Sequence, residues 1–264
     1  MASRTGIIAA HRPSARRRRK PGGLKVAVLL LATVATGYAA YKLDVEGYFT
    51  IREVTVNRPV YMDQAELDSL CRRLFVGRSI LSDLGQPSTK LAAQPLILSV
   101  HCFRRFPDKL WIEVVEREPV ALANVGELMA VDAEGYVLPL EADKRHLSLP
   151  IVTPSSASAV LTQNDGRQRL NREGCRLVQA VTTFRATAPD LLLGISEFTV
   201  DESGKIRLVT LEEGVTVVMG RWVEAREVEY YRWMLGEIQR RDDRPALVDL
   251  SYEGQIIVKK KYGG

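Results

Sequence analysis

The chain has 264 residues and a formal net charge of +5, but this charge is unevenly distributed along the sequence. Residues 1–43 contain nine of the 37 basic residues and no acidic residue, which leaves 28 basic against 32 acidic residues in the remainder. Because the larger part of the chain is slightly acidic, composition argues against a nucleic-acid-binding protein. Cys71, Cys102 and Cys175 cannot all pair within one chain, so buried thiols are the expectation and a single disulfide is the alternative.

The N-terminal segment combines a basic cluster with an apolar stretch of sixteen uncharged residues, Val26 to Tyr41. Positive charge next to such a stretch is retained in the cytoplasm. The pattern predicts a basic cytoplasmic tail over residues 1–23 and an uncleaved transmembrane helix over residues 24–43. A cleaved signal peptide, with small residues at Gly37-Tyr38-Ala39, is the alternative. The residues that set this topology are Arg16, Arg17, Arg18, Arg19 and Lys20.

Residues 45–117 predict a small module with the order β-α-α-β-β. Asp63 is a candidate N-cap for the first helix, and Gly77 ends it. Alternation of apolar residues in the last strand is typical of a sheet with one packed face. The predicted elements are a strand over 49–56, helices over 63–77 and 87–94, and strands over 97–103 and 110–116.

Residues 118–264 predict a β-rich domain with two longer helices. The sequence Asp132-Ala133-Glu134-Gly135 predicts a tight hairpin in which Gly135 takes a positive φ. A helix is predicted over 167–186, although Asn171 and Gly174 weaken its first half. The later predicted elements are strands over 195–200, 205–211 and 215–219, a helix over 222–241, and strands over 246–252 and 255–261.

Several stretches resemble the bacterial cell-division family FtsQ/DivIB. Residues 49–56 are similar to the first strand of the family's POTRA domain, and residues 105–114 resemble its Arg-x-Pro-x-x-Leu-x-Ile hairpin. The junction Glu116–Ala121 resembles the family's Glu-Arg-x-Pro-Val-Ala sequence. Further similar stretches are Asp132–Gly135, Leu149–Ile151, Gly220-Arg221 and Asp249–Tyr252.

This resemblance implies an α+β fold. Its parts are a single N-terminal transmembrane helix, a β-α-α-β-β POTRA domain over 45–117, and a mixed, largely antiparallel β domain with two longer helices over 118–264. The resemblance also implies a single-pass protein of the cytoplasmic (inner) membrane at the division septum. Its N-terminus would be cytoplasmic and its C-terminal domain extracytoplasmic or periplasmic.

In function, the resemblance implies a scaffold that links early and late division proteins and helps control septal peptidoglycan synthesis. The implied partners are FtsB- and FtsL-like bitopic proteins and other membrane proteins of the divisome. One alternative is a POTRA-bearing protein secretion or outer-membrane assembly factor. Such proteins usually carry POTRA repeats or a barrel of amphipathic strands. An extracytoplasmic cell-wall enzyme is a third interpretation.

Catalytic chemistry finds little support in the sequence. His101 and Cys102 are neighbours in a predicted strand, so their side chains point to opposite faces and cannot form a dyad. Glu113, Glu116 and Glu118 are interpreted as solvated charges at a sheet edge. The sequence contains no phosphate-binding glycine loop, metal-ligand spacing or nucleophile elbow. We therefore expect a protein that is not an enzyme and has no catalytic residue, cofactor, metal or small-molecule substrate.

The final strand is the predicted partner-binding site. It is β-prone and comes last in a meander, so we expect it at a sheet edge, where a partner can add a strand. The resemblance agrees, because the family binds FtsB through this region. Ser251 stands where the family has Arg, and Lys259 or Arg221 are the candidates to supply that charge. The predicted site residues are Tyr252, Gly254, Gln255, Ile256, Ile257, Val258 and Lys259.

The junction from Glu116 to Ala121 is a second predicted site. Pro119 has no N–H group and can end sheet pairing where the two modules meet. Glu116 and Pro119 are therefore candidate residues for recruitment to the division site, and an ordinary linker is the alternative.

Overall fold

The structure is a computed structural model, and it describes residues 22–140, 148–155, 159–163, 166–212, 214–241, 245–252 and 255–260. The chain divides into two compact units, residues 1–49 and residues 50–264. The first unit contains a single described helix, α1 (Gly22–Val45). The topology residues Arg16, Arg17, Arg18, Arg19 and Lys20 lie outside the described part of the chain.

Helix α1 covers the segment that was predicted to span a membrane. Across the part of the chain that the structure describes, no helix combines the length and the apolarity needed for such a span. The prediction of a transmembrane helix over residues 24–43 is therefore wrong. The physical reason is the short apolar stretch: sixteen helical residues extend roughly 24 Å, less than the ~30 Å hydrocarbon core of a bilayer. Lys25 and Lys42 bound this stretch, and Thr33 and Thr36 reduce its hydrophobicity.

The second unit begins with a small sheet covered by two helices. In the described residues the sheet has three strands in the order β1-β3-β2, with β3 parallel to β1 and antiparallel to β2. The predicted order β-α-α-β-β is confirmed. Its elements are β1 (Glu53–Val56), α2 (Gln64–Phe75), α3 (Gly85–Ala92), β2 (Ile97–Arg105) and β3 (Lys109–Glu116).

Local sequence signals explain why these elements begin and end where they do. The Asp63 side chain accepts a hydrogen bond from the backbone N–H of Glu66, so it is the N-cap of α2. After α2, Gly77 has a φ of +85°, a conformation that favours glycine. Phe75 of α2 and Ile112 of β3 are fully buried and belong to the core of this module.

The rest of the unit forms a nine-stranded mixed sheet among the described residues. Its order is β14-β13-β12-β11-β10-β7-β4-β5-β6. Its strands are β4 (Ala121–Asn124), β5 (Leu128–Val131), β6 (Val137–Leu138), β7 (Ile151–Thr153), β10 (Ile195–Val200), β11 (Ile206–Thr210), β12 (Thr216–Val218), β13 (Pro245–Tyr252) and β14 (Gln255–Lys260). A separate hairpin and three helices complete the module: β8 (Val160–Thr162), β9 (Gln168–Leu170), α4 (Arg172–Thr187), α5 (Pro189–Leu192) and α6 (Ala225–Arg241).

Most strand pairs in this sheet are antiparallel, as predicted, but three pairs are parallel: β4 with β7, β7 with β10, and β12 with β13. Helices α4 and α6 pack together against the sheet. The Phe184 ring of α4 lies edge-on to Phe198 of β10 and to Tyr231 of α6, at centroid distances of 5.7 and 6.1 Å. These three side chains are almost completely buried in the main core.

The predicted start of the helix at residue 167 is wrong. Residues 168–170 instead form β9, which pairs with β8. Helix α4 begins only after Asn171, whose side chain accepts a hydrogen bond from the backbone N–H of Gly174. Asn171 and Gly174 were recognised as weak helix formers, and their actual role is to begin the helix.

Candidate partner-binding site

Strand β14 lies at one edge of the large sheet, which confirms the expected edge position of the final strand. On one side β14 pairs with β13, and no other described strand pairs with its outer side. The backbone N–H and C=O groups along that side are therefore open to an added strand. Gly254 lies outside the described residues. The predicted site residues within β14 are Gln255, Ile256, Ile257, Val258 and Lys259.

The apolar side chains of β14 differ in how far they are buried. Val258 lies opposite Val248 of β13, and Ile257 lies opposite Asp249. Ile256 packs against the main hydrophobic core, whereas Ile257 and Val258 are 41% and 40% exposed. The strand is thus held by apolar contact at Ile256, while Ile257 and Val258, on opposite faces, remain accessible for a partner.

Tyr252 lies at the end of β13 and is about half exposed. The Lys205 Nζ is 4.4 Å from the centroid of the Tyr252 ring, within the range of a cation–π contact. The same Nζ donates a hydrogen bond of 2.7 Å to the Ser251 hydroxyl oxygen, and that hydroxyl donates to the Asp249 carboxylate. A positive charge therefore stands beside Ser251 and Tyr252.

Lys205 was missed by the sequence analysis, which considered Lys259 and Arg221 for this role. Arg221 instead donates from its guanidinium Nη2 to the backbone oxygen of Ser203. Lys205 precedes β11 and lies 46 residues before Ser251, so only the pairing of β11, β12 and β13 brings the two together. The sequence signal for Lys205 was its position directly after the Asp201–Gly204 turn, and such a position is weak evidence for a binding role.

A groove of about 730 Å³ lies between α6 and the end of β13. Arg226, Tyr230 and Trp233 share one face of α6 because they are separated by four and three residues. The Tyr230 and Trp233 rings are stacked, with centroids 5.7 Å apart, and Trp233 is 55% exposed. Leu250, Ser251 and Tyr252 line the opposite side.

The predicted helix over 222–241 was not expected to carry a functional surface, so its two exposed aromatic residues were missed. Aromatic side chains of this kind are enriched at the energetic centres of protein interfaces. Together with Tyr252 they place three aromatic rings beside the open edge of the sheet.

Glu227 closes the inner end of this groove. Burial raises the pKa of its carboxyl group, although hydrogen bonds from the backbone N–H groups of Glu224 and Gly220 partly oppose this effect. A Cβ atom at residue 220 would lie only 2.8 Å from the Glu227 Oε1. A larger residue at position 220 would therefore push the Glu227 carboxylate away from its present place.

The junction between the two sheets is held by side chains on both of its flanks. Glu116 is not a freely solvated charge, because its carboxylate accepts hydrogen bonds from the backbone N–H groups of Tyr61 and Met62, at 3.0 and 2.8 Å. Pro119 is buried. The solvated interpretation of Glu116 is therefore wrong, and the carboxylate fixes a loop of the first module.

Arg117, which the sequence analysis did not single out, is the most buried charge of the junction, with 5% of its surface exposed. Its Nη1 forms an ion pair with the buried Asp132 and a longer one, 3.1 Å, with Glu134. Its guanidinium also lies 4.4 Å from the centroid of the Tyr136 ring. These contacts join the residue that follows β3 to the β5–β6 turn of the second module.

The cysteine side chains are free thiols, so the alternative of a disulfide is not observed. Burial raises the pKa of Cys71 to about 12, which keeps this thiol protonated and unreactive near neutral pH. Burial also raises the pKa of Cys175. Neither Cys71 nor Cys175 thus has the lowered pKa that a catalytic thiolate needs.

Residues 121–251 match a family model described as "Cell division protein FtsQ/DivIB, C-terminal". A cell division protein FtsQ of Geotalea daltonii is 24% identical over 89% of this chain and 84% of its own length. Syntrophotalea carbinolica FtsQ is 25% identical over 92% and 85%, respectively. Neisseria meningitidis FtsQ is 27% identical over 76% and 77%. The family match runs from the start of β4 almost to the end of β13.

Proposed function

Because the chain belongs to the FtsQ/DivIB family of cell division proteins, we propose that it is a non-enzymatic scaffold of the divisome. In this proposal it links early and late division proteins and helps control septal peptidoglycan synthesis. Its first module acts as a POTRA domain, and its nine-stranded sheet presents the main partner site. The alternative of a secretion or outer-membrane assembly factor is not favoured, since the matched relatives carry the name of a cell division protein.

The observation that carries the proposal is the open edge of β14 beside an aromatic groove. A six-residue edge strand offers main-chain hydrogen bonds to a partner strand, and neighbouring pockets select the partner's side chains. Tyr230, Trp233 and Tyr252 supply an aromatic surface next to that edge. The proposed partners are FtsB- and FtsL-like proteins, one of which adds a strand to β14.

Charge should steer this association. Lys259 and Lys260 are exposed on β14, and Lys205 stands beside Tyr252. These three cations favour a partner segment that carries carboxylates, because complementary charge speeds encounter and fixes orientation. In particular, Lys205 takes the place of the family's usual Arg at position 251.

The proposed place of action is the division septum, in association with the cytoplasmic membrane and with both sheets on its extracytoplasmic side. Helix α1 has no role in this proposed association with the membrane. A fluorescent fusion should collect at mid-cell, and protease added to cells with a permeabilised outer layer should digest residues 50–264. A diffuse fusion protein, or a protected domain, would contradict the proposed location.

The decisive experiment is capture of a purified FtsB-like partner from the same organism. We expect Tyr252→Ala to weaken capture by about thirtyfold or more, the range of an interface hot spot. Truncation after Gly254 removes β14 and should abolish capture. Phe106→Ala is the matched control, since Phe106 is a 61% exposed aromatic residue of the first module. Equal capture by the wild type, the Tyr252 variant and the truncated chain would refute the proposed site.

A recruitment role for the junction is a further part of the proposal. Glu116 fixes the loop that contains Tyr61 and Met62, so a change at residue 116 alters the surface near the junction. Glu116→Lys or Pro119→Ser should reduce recruitment to the septum while the protein remains folded and abundant. If both variants localise normally, the junction is an ordinary linker.

A further inference from the structure

A second groove, of about 640 Å³, lies at the same end of the large sheet as Tyr252. Of its residues only Arg221 was considered as a partner contact from the sequence, and the proposed function does not use the groove. Its walls come from the start of α4, the turn between β10 and β11, and the segment that follows β12. The residues that matter for its chemistry are Arg172, Arg176, Arg221, Trp222, Glu173 and Asp201.

Three arginines converge on this groove, and each has donors available to a ligand. Arg172 and Arg176 are one turn apart on α4, so they project from the same face. Arg176 donates to the backbone oxygen of Gly204, but its Nε is buried and has no hydrogen-bond partner among the described residues. Arg221 uses its Nη2 for the backbone oxygen of Ser203. A buried donor without an acceptor is costly, and a bound anion would satisfy it.

Carboxylates also line the groove, but two of them already serve the local fold. Glu173 accepts hydrogen bonds from the backbone N–H and the hydroxyl of Ser155. Asp201 accepts from Ser203 and from the backbone N–H of Lys205. Desolvation tends to raise the pKa of its carboxyl group, but these bonds outweigh it and the pKa is lowered. Only Glu202, which is exposed, faces the groove as an unengaged carboxylate in the described part of the chain.

Trp222 gives the groove an apolar platform. Its ring is 48% exposed, and the Arg176 guanidinium lies 5.7 Å from the ring centroid. An aromatic face next to guanidinium groups suits a ligand that presents an apolar side chain beside a carboxylate. This combination is typical of a peptide segment rather than of a simple inorganic anion.

One turn connects this groove with the partner site at Tyr252. Gly204 accepts the hydrogen bond from Arg176, and the next residue, Lys205, contacts Ser251 and Tyr252. We infer that the groove of Arg172, Arg176, Arg221 and Trp222 is an extension of the partner site that binds an acidic peptide segment of the protein seated on β14. This inference deepens the proposed function and rests on it.

The test uses the full-length protein and a short fluorescein-labelled peptide of glutamate and aspartate with one leucine. The control peptide replaces the acids by glutamine and asparagine. Fluorescence anisotropy should show binding of the acidic peptide, weakened by added salt, and no comparable binding of the control. The double variant Arg172→Gln and Arg221→Gln should lose at least about tenfold in affinity, since each charge-assisted hydrogen bond contributes on that scale.

Matched variants separate this site from general charge effects. Arg207→Gln removes an exposed charge of β11 outside the groove and should change the affinity by less than about twofold. Glu202→Gln removes a like charge and should tighten binding about two- to threefold. Arg172→Gln alone removes a side chain with no hydrogen bond in the described structure, so its loss of affinity cannot be attributed to misfolding.

Two results would overturn the inference. The first is acidic-peptide binding that is unchanged in the double variant, and the second is equal binding of the neutral control peptide. Tyr252→Ala should leave binding of the acidic peptide within about twofold of the wild type, because it leaves the three arginines in place. If partner capture depends on Tyr252 but the acidic peptide does not bind, the extension fails while the proposed function stands.

Discussion

The two edges of the nine-stranded sheet are built in opposite ways. At one edge, β6 has only two residues, and both Val137 and Leu138 are buried. At the other edge, β14 has six residues, five of which are exposed. The sheet therefore has one closed and one open edge.

The closed edge is covered by the rest of the protein. Leu138 packs in a small cluster that Tyr61 and Leu96 of the first module contact. Next to β6, Tyr136 forms a backbone bridge with Arg169 of β9. Proteins normally protect edge strands in this way, because an open edge invites pairing with another chain. The exposure of β14 is therefore confined to one edge of the sheet, and an exposed edge is what the addition of a partner strand requires.

The largest expected effect concerns the closed edge. Arg117→Ala should lower the free energy of unfolding by about 3–5 kcal/mol, because it leaves the buried carboxylate of Asp132 without its partner. Urea unfolding followed by circular dichroism measures this loss. Arg185→Ala is the control, since it breaks an exposed ion pair with Glu118 that contributes about 0–1 kcal/mol. Equal losses in the two variants would show that the closed edge does not depend on its buried charge pair.

A smaller effect concerns the open edge. Lys259→Glu combined with Lys260→Glu should slow association with an acidic FtsB-like partner by about tenfold at low salt, because charge complementarity acts mainly on the encounter rate. At high salt the difference should shrink, as measured by stopped-flow fluorescence. Arg73→Glu combined with Lys90→Glu gives the same change in net charge on the first module. If this control slows association equally, the lysines of β14 have no local role.

The smallest effect concerns the groove beside the open edge. The raised pKa of Glu227 means that the folded protein binds a proton more readily than the unfolded chain. Stability should therefore rise as the pH falls from the folded pKa of this group towards its ordinary value of 4.5. Glu227→Gln should remove that rise, which parallel unfolding curves at several pH values would detect. A wild type and a variant with the same pH dependence would contradict this assignment.

Sequence patterns predicted the elements of both modules well where periodicity and turns agreed. The strands β10 to β12 lie within one residue of their expected bounds, because glycine-containing turns separate them. The failures have local physical causes. Residues 168–170 joined a strand through pairing with β8, and the apolar stretch of α1 proved too short for a membrane span.

The candidate site was predictable only in part. Tyr252 and β14 were found because they are adjacent in sequence and β-prone. Lys205 and Arg117 were missed because their partners lie 46 and 15 residues away, and only folding brings them together. The exposed Trp233 was missed because helical periodicity identifies the buried face and says little about function on the other face.

The neighbouring residues Glu116 and Arg117 have a mechanical consequence. The Glu116 carboxylate accepts hydrogen bonds from the loop at Tyr61 and Met62 in the first module, whereas Arg117 forms an ion pair with Asp132 in the second. A pulling load applied between the two sheets therefore passes through side-chain contacts at two adjacent residues, the last residue of β3 and the one that follows it. We therefore expect such a load to act first on these side-chain contacts, before it extends the backbone between the two modules.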